Sequence, residues 1–463
     1  MIHDNIYSEF KDSCRRSIEE CLARLGLADD VGRVSLAEPP SLEFGELSTS
    51  ICFDLAKRVG DTPLNLAKKI LEVMESPPEL IKSVEIAGNG YINFRLNFEK
   101  TSTLILAQVI RGEESYGFIK TDKPRRIIVE HTSVNPVHPI HIGQARNPIL
   151  GDALARLLEK RGHIVRRHYY IDDMGRQSAI LAYGYKLLGE PSIEGKPDLF
   201  LGRVYSVASC LIEVESLKKK IMRSTKLGGE YYEDLKGLKG ELDDWVGVAA
   251  ELRDKYPEIF EALSEAIIDR DDPESEVSRL IREYDEGKGE ARRLIRRVSS
   301  LCLDGFKDTL RRLDIGFDSW DWESDLVWSG RVRTLLEKLK SSRYARWENN
   351  VLELDVESII EDLNLREELR LRETHYLPSL TLLRSDGTTL YTTRDIAYSL
   401  YKFEWADSVI NVIGAEQSLA QLQLKAALYA LGEYEKGKNL IHFSFGLVEM
   451  PGRRMSSRRG WII

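Results

Sequence analysis

The chain has 463 residues, 42% of them apolar and 30% charged, and a formal net charge of −9 at pH 7. This composition is typical of globular proteins and excludes collagen-like, low-complexity and disordered classes. No window approaches the roughly 18 consecutive apolar residues of a membrane span, and the five scattered cysteines suit a reduced compartment. We therefore expect a cytoplasmic protein of about three domains with no membrane segment.

The first 98 residues predict a small α/β domain. Apolar residues recur at helical spacing in SEFKDSCRRSIEECLARLGL and again over residues 51–59. Alternating side chains on both sides of the Gly-Asn-Gly sequence at 88–90 indicate a β-hairpin. Residues 99–120 are predicted to form a helical connector.

From residue 121 onward the pattern is that of a parallel sheet. A short apolar run, RRIIVEHTS, leads through the turn-rich NPVHPIHIG into a long helix, GQARNPILGDALARLLEKRG, and then a second strand, HIVRRHYYIDDMG. Strand, glycine-containing turn, helix and strand form the opening unit of a parallel α/β sheet, whose ligands bind at the carboxyl ends of the strands. The charged, helix-biased residues 186–300 predict a helical insertion.

Sheet signals return in LTLLRSDGTTLYTTRDIAYSL, where an Asp-Gly turn lies between two apolar runs. The segment SVINVIGAEQ then predicts a buried strand that ends in polar residues, and LAQLQLKAALYALG predicts a helix. The expected fold class is thus α/β: a parallel-sheet domain over residues 121–463, with its helical insertion, beside a small N-terminal domain.

The turn from His138 to Gln144 is the first candidate for chemistry. Gly143 permits close backbone approach, and the free N–H groups of the following helix favour phosphate. His141 is placed to donate to a phosphate oxygen as negative charge develops. A plain polar surface turn is the alternative. A zinc site formed with His131 would lack the usual carboxylate or cysteine ligands, so we predict no metal site.

A second candidate is the basic segment at 454–458. Its arginines and small hydroxyls suit the stabilisation of a transferring triphosphate. A solvated basic tail is the alternative.

Together these segments resemble the HIGH and KMSKS signatures of class I aminoacyl-tRNA synthetases, which flank a Rossmann-like catalytic domain. The block VEHTSVNPVHPIHIGQARNPILGDALARLL is similar to that of arginyl-tRNA synthetases, particularly archaeal-type ones. WESD at 322–325, LYTTRDIAY at 390–398, VIGAEQ at 412–417 and MSSRRG at 455–460 follow in family order. GNGYINFRLNF at 88–98 resembles the additional N-terminal domain of that family, which contacts tRNA.

The resemblance implies an arginine–tRNA ligase that activates L-arginine with ATP to arginyl-adenylate and transfers it to the 3′ end of its tRNA. The implied partners are therefore arginine, tRNA, and ATP with Mg²⁺ as a substrate complex. A guanidinium carries five donors and no acceptor, so an arginine site needs carboxylates. We expect a monomer.

The family positions imply a role for each motif residue. The implied arginine-binding residues are Glu130, Asn135, Glu323, Tyr391, Asp395 and Gln417. The implied catalytic and ATP-binding residues are His138, His141, Gly143, Gln144, Gly414, Arg454, Met455, Ser456, Ser457 and Arg458. Asp173, Gly175 and Gln177 are assigned to shaping the site.

Within the arginine set, Asp395 and Glu323 would take the guanidinium and Tyr391 would fix its plane. Glu130, Asn135 and Gln417 match positions that hold the amino-acid end. The alternatives stay open: Glu323 facing solvent, Tyr391 in the core, or Asp395 capping a helix that starts near Ile396.

This sequence departs from the family pattern in three ways. Gln144 replaces the second signature histidine, and His138 stands where many members have lysine. The chain also stops three residues after Gly460, where the family continues into an all-helical anticodon-binding domain. We consider a truncated chain, a separate chain that supplies anticodon binding, or a core-only paralogue that binds RNA or a partner. A nucleotidylyltransferase with another acceptor is a further alternative.

Overall fold

The computed structural model describes residues 5–28, 34–113, 116–118, 120–227, 232–268, 272–374, 376–385, 387–446 and 448. The chain divides into two compact units, residues 1–120 and 121–463. In the described part of the chain, no helix is long and apolar enough to cross a lipid bilayer.

The first unit packs helices against a small antiparallel sheet. Its strands are β1 (Leu47–Thr49), β2 (Ile81–Ala87) and β3 (Tyr91–Leu96), in the order β1-β3-β2. Its helices are α1 (Ile6–Arg24), α2 (Ile51–Val59), α3 (Pro63–Val73) and α4 (Phe98–Gly112). The predicted hairpin is confirmed: it joins β2 to β3. Gly90 is required there, because φ is +130° and a Cβ would lie 2.6 Å from the Pro63 carbonyl carbon.

The second unit holds a five-stranded parallel sheet and a separate three-stranded antiparallel sheet. Its strands are β4 (Arg126–Glu130), β5 (Ile164–Ile171), β6 (Ser319–Trp322), β7 (Ala345–Glu348), β8 (Val351–Leu354), β9 (Leu380–Leu383), β10 (Ser408–Gly414) and β11 (Leu440–Phe445). Its helices are α5 (Arg146–Lys160), α6 (Arg176–Leu187), α7 (Pro197–Leu227), α8 (Tyr232–Lys255), α9 (Pro257–Ile268), α10 (Pro273–Asp285), α11 (Gly289–Arg312), α12 (Glu323–Trp328), α13 (Arg331–Lys340), α14 (Val356–Asp362), α15 (Tyr391–Lys402), α16 (Ser418–Ala430) and α17 (Tyr434–Asn439).

The order of the parallel sheet is β11-β10-β4-β5-β6. The chain starts at β4, runs outward through β5 and β6, and then returns to β10 on the other side of β4. Parallel sheets bind ligands at such a switch point, outside the carboxyl ends of the strands. Strand β4 is buried on both faces, as a central parallel strand should be. The predicted α/β fold with a parallel sheet is confirmed.

The predicted helical insertion is also confirmed. Helices α7 to α11 lie between β5 and β6 in sequence, and three of them, α7, α9 and α10, begin with a proline. Proline suits the first helical turn because its missing N–H would have no partner there anyway. These helices pack around buried side chains that include Leu201, Ile295 and Phe306.

The prediction around the Asp-Gly turn is wrong in its second half. Only the first apolar run forms a strand, β9; beyond the turn a single bridge pairs Leu383 with Thr389, and α15 begins at Tyr391. The buried Thr393 hydroxyl donates to the Leu382 carbonyl at 2.8 Å and ties the helix to β9. Asp395 therefore lies inside α15, whose N-cap is Leu390, so the helix-capping alternative is wrong.

Candidate active site

Chain segments that follow β4, β5, β6 and β10 supply the candidate site, together with one face of α15. Tyr391, Asp395, Tyr398 and Lys402 are spaced by four, three and four residues, which places them along a single face of that helix.

His138 and His141 lie against each other in the turn after β4. Their rings stack with centroids 5.6 Å apart, and His138 is buried, with its Nδ1 3.0 Å from the Pro139 carbonyl oxygen. The insertion supports this turn: a Cβ on Gly202 in α7 would lie 2.7 Å from the Pro139 ring. The first part of the turn, around His138, is thus packed into the fold, whereas His141 is only half-buried and Ile142 is exposed.

His141 immediately precedes a short 3₁₀ turn, Ile142–Gln144, that contains Gly143 and leads into α5. Burial, and to a lesser extent His138, lowers the pKa of His141 to about 4. The ring is therefore neutral at pH 7 and carries one N–H donor. Its Nδ1 is buried and has no hydrogen-bond partner among the residues that the structure describes.

Gln144 has a local structural role that the sequence did not suggest. Its Oε1 accepts the backbone N–H of His141 at 3.3 Å, so the side chain caps the turn. This contact satisfies an N–H donor at the start of the turn that would otherwise lack a partner.

We expect Gln144→His to keep adenylation at or above the wild-type rate, because it restores the family residue and a ring nitrogen can accept the same N–H. Gln144→Ala removes the cap and should be the slower variant. Rates of arginine-dependent ATP–pyrophosphate exchange compare the two. A loss of more than about tenfold, or 1.4 kcal/mol, in the histidine variant would show that the site is organised around the glutamine.

Glu130 ends β4 and is almost fully buried. The Lys402 ammonium, which is 1% exposed, donates to Glu130 Oε2 and to Asn411 Oδ1, the latter at 2.8 Å. Glu130 Oε1 lies 3.4 Å from the Ser133 hydroxyl. One carboxylate oxygen is thus already paired inside the protein. Sequence reasoning missed Lys402; its place on the polar face of α15 was the available signal.

The structure brings Asn135 and Gln177 together. The Asn135 amide donates to Gln177 Oε1 at 3.3 Å and to Asp172 Oδ2 at 2.9 Å. Asp172 follows β5 and was not singled out from the sequence, although it adjoins Asp173 in the DDMG motif.

Glu323 begins α12 and is 2% exposed, so the alternative in which it faces solvent is wrong. Its Oε1 accepts from Arg394 Nη1 at 2.9 Å. Its Oε2 has no hydrogen-bond donor within the described ranges. Burial, followed by the neighbouring Asp172 carboxylate, raises the pKa of Glu323.

Asp395 lies on α15 between the two ion pairs. Burial raises its pKa to about 7, and Glu130 and Asp172 add to that rise, whereas Lys402 and Arg394 oppose it. Tyr391 at the start of the helix is 57% exposed, so the core alternative for this tyrosine is wrong.

The segment after β10 carries the remaining predicted residues. Gly414 is buried at the end of the strand, and Gln417 is exposed at the end of the 3₁₀ turn that precedes α16. A Cβ on Gly414 would lie 2.2 Å from the Glu416 carboxylate, which is the mobile end of an exposed side chain.

Asp173 is fully buried beneath the site. It accepts the backbone N–H of Ser324 at 3.1 Å and its hydroxyl at 2.6 Å, and also the Tyr284 hydroxyl from α10. It therefore links the insertion to the start of α12. Gly175, with φ +87°, precedes α6 in the left-handed region, which glycine adopts without strain. Arg454, Met455, Ser456, Ser457 and Arg458 lie outside the described residues.

Among the described residues, the candidate site gathers more carboxyl groups than cations. Four carboxyl groups meet there, and two cations face them, Lys402 and Arg394. The carboxylates are Glu130, Asp172, Glu323 and Asp395. A further cation with several N–H donors would complete this arrangement, and a guanidinium has that character.

Comparison with protein-family models identifies the class of protein to which the chain belongs. The family model for the tRNA synthetases class I (R) catalytic domain matches residues 105–226 and 238–463, and the arginyl tRNA synthetase N terminal domain matches residues 12–96. Fold and matches together define a class I aminoacyl-tRNA synthetase.

Comparison with curated relatives identifies the family within this class. The chain is 41% identical over 449 residues to the arginine–tRNA ligase of Saccharolobus solfataricus, covering 96% of this chain and 69% of that protein. It is 40% identical to the arginine–tRNA ligase of Sulfolobus acidocaldarius over 442 residues, covering 95% and 68% of the two chains. The chain belongs to the arginyl-tRNA synthetase family.

Solved structures agree at the level of the fold. The arginyl-tRNA synthetase of Thermus thermophilus superposes with a TM-score of 0.57 at 24% identity, covering 96% of this chain and 67% of that one. The Plasmodium falciparum enzyme gives 0.54 at 15% identity, covering 95% and 65%. The synthetase prediction is confirmed: the reaction is the ATP-dependent ligation of arginine to tRNA.

Proposed function

We propose that the substrate arginine binds at the switch point between β4 and β10, with its guanidinium between Glu323 and Asp395. The observation that carries this proposal is the cluster of four carboxyl groups, which among the described residues faces two cations, Lys402 and Arg394. Glu323 Oε2, which no described donor reaches, is a ready acceptor. Tyr391 is exposed at the rim, where its ring can cover the guanidinium plane.

The amino-acid end of the substrate then extends toward Asn135, Gln417 and Glu130. Glu130 shares its charge with Lys402, so its remaining oxygen is the one available to a substrate ammonium. Asn135 is held by Asp172 and Gln177, which fixes the direction of its amide. Polar groups that are already held in place strengthen substrate binding, because little conformational entropy is lost when the substrate binds.

ATP, as its Mg²⁺ complex, is proposed to lie with its phosphates at the N-terminus of α5. Mg²⁺ usually binds through substrate phosphates and one or two carboxylates, so it enters with the nucleotide. The arginine carboxylate attacks the α-phosphorus, pyrophosphate leaves, and the neutral His141 donates to a phosphate oxygen as charge develops. The basic residues 454–458 are proposed to stabilise the departing pyrophosphate.

Competition with uncharged and differently shaped analogues tests the arginine pocket. Citrulline has nearly the shape of arginine without its charge, and lysine has the charge without the planar fork. For both analogues, the inhibition constant in arginine-dependent ATP–pyrophosphate exchange should be at least about 100-fold higher than the arginine KM. Either analogue would leave buried carboxylates unpaired. Exchange is measured with tRNA present and absent, which also shows whether adenylation depends on tRNA. Citrulline inhibition comparable to arginine binding would overturn the pocket.

We also propose that the protein acts as a monomer in the cytoplasm. Light scattering of the purified chain, with and without tRNA, tests the oligomeric state.

A separate chain that supplies anticodon contacts is a further hypothesis. Aminoacylation of tRNA with a normal and an altered anticodon distinguishes the cases: equal rates with the purified chain would show that the chain makes no productive anticodon contacts itself.

A further inference from the structure

An arginine of the chain itself lies inside the proposed arginine pocket. Arg394 Nη1 contacts Glu323 Oε1 at 2.9 Å, and the two side chains are only 16% and 2% exposed. Its Nη2 lies 3.4 Å from the Thr389 carbonyl oxygen, close to the limit for a hydrogen bond. Its Nε is buried and lacks an acceptor among the described residues. Glu323 is thus the strong partner of this guanidinium.

The contact uses one oxygen of Glu323 and leaves the other. Oε2 is buried and has no donor in the described part of the chain, and the Tyr170 hydroxyl nearby is likewise without a partner. Tyr170 stacks on Tyr398 with ring centroids 4.3 Å apart, which fixes this wall of the pocket. Buried polar groups are normally hydrogen-bonded, so this acceptor and hydroxyl together can receive a ligand with N–H donors.

We propose that Arg394 is a positioning residue for the substrate: it holds Glu323 by one oxygen so that the other accepts from the substrate guanidinium. The inference rests on the proposed arginine pocket and adds a residue to it. Arg394 would then act through Glu323 and need not touch the substrate.

The charges around Glu323 give this role a second consequence. The groups that face it or Arg394 are Asp172 and Tyr170 from β5 and its following loop, Asp285 from α10, and Asp395 from α15. Two neighbouring carboxylates do not both ionise without a counter-charge. Arg394 supplies a counter-charge that lowers the pKa of Glu323, against the larger rise that burial and Asp172 cause.

Removing the charge of Arg394 should therefore impose a pH dependence. The pKa of Glu323 would rise further, so at any given pH a larger fraction of the carboxyl would be protonated and unable to accept from the substrate. Raising the pH would restore the carboxylate and part of the arginine affinity. A residue that served only packing would weaken binding equally at every pH.

The experiment compares Arg394→Gln and Arg394→Lys with the wild type between pH 6 and pH 9. Arginine KM, ATP KM and kcat are measured by ATP–pyrophosphate exchange with tRNA present. The ratio of variant to wild-type KM at each pH cancels the titration of the substrate and of other site groups. Arg331→Gln is the matched control, because Arg331 also pairs with a glutamate, Glu404, just beyond α15, but on the exposed surface.

We expect Arg394→Gln to raise the arginine KM about 30-fold at pH 6.5, the range expected for a lost charged hydrogen bond. The ratio should fall toward pH 9, with the ATP KM unchanged. Arg394→Lys keeps the charge, so its KM should stay within about fivefold with an unshifted profile. Arg331→Gln should behave as wild type.

Three outcomes would overturn the inference: an unchanged arginine KM, a KM ratio independent of pH, or an equal rise in the ATP KM. If Arg394→Gln does not fold, Arg394→Lys provides the test. A pH profile of the arginine KM that is shifted from that of the wild type would contradict the proposal. Glu323→Gln separates this inference from the pocket itself. Unchanged arginine binding in Glu323→Gln would overturn the pocket, whereas a loss there with normal Arg394 variants would overturn only the role of Arg394.

Discussion

Replacing His141 by alanine is expected to lower the rate of arginine adenylation about 10²–10³-fold, or roughly 2.7–4 kcal/mol, while arginine binding stays nearly unchanged. The imidazole lies just before the turn that leads into α5, and its pKa of about 4 makes it a neutral donor at pH 7. The loss should therefore fall on the transition state, where charge develops on the phosphate. Pre-steady-state ATP–pyrophosphate exchange measures it.

His141→Asn and His163→Ala serve as controls. Asparagine keeps a donor on a shorter side chain and should recover part of the rate. His163 precedes β5 at the opposite, amino end of the sheet, where its ring accepts the Arg125 N–H at 3.2 Å. Its alanine variant should adenylate normally. Wild-type exchange in His141→Ala would remove this histidine from the mechanism.

Replacing Asp395 by asparagine keeps the shape of the side chain and removes its charge. A charge pair broken on one side should cost about 3–5 kcal/mol of arginine binding. The loss should appear in the arginine KM or Kd, with ATP binding unaffected. Lysine should not replace arginine as a substrate, because its point charge cannot use a planar fork. Glu404→Gln, a surface carboxylate just beyond α15, is the control.

The same variant carries a pH prediction. The pKa of Asp395 is raised to about 7, so the carboxylate that binds a cation is present above that pH and lost below it. Wild-type arginine affinity should therefore increase as the pH rises through about 7, and Asp395→Asn should remove that component. Isothermal titration with arginine at several pH values measures both effects. Normal arginine affinity in the variant would overturn the guanidinium assignment.

Much of the fold can be predicted from short stretches of sequence. The apolar run of β4, the helix α5 and the strand β5 follow one another in a pattern that already indicates a parallel sheet. The hairpin around residues 88–90 and the helix over residues 51–59 are equally local. Hydrophobic periodicity and turn glycines act over a few residues, so they are visible without knowledge of distant contacts. The start of α15 escaped this reasoning because its first turn, YTTR, has no strong helix signal.

The candidate site is different, because its charges are paired between segments that are far apart in the chain. The sequence motifs marked Glu130 and Glu323. No sequence pattern around Glu130 shows that Lys402, 272 residues further along the chain, pairs with its carboxylate. Likewise, the Arg394 contact to Glu323 exists only because α12 and α15 meet beside the sheet. Sequence patterns report which face of an element is apolar, whereas the partner of a buried charge depends on which other elements pack against it. The sequence motifs therefore marked several carboxyl groups of the candidate site, whereas Asp172, Arg394 and Lys402, and the pairing of these charges, followed only from the packing of the strands and helices that carry them.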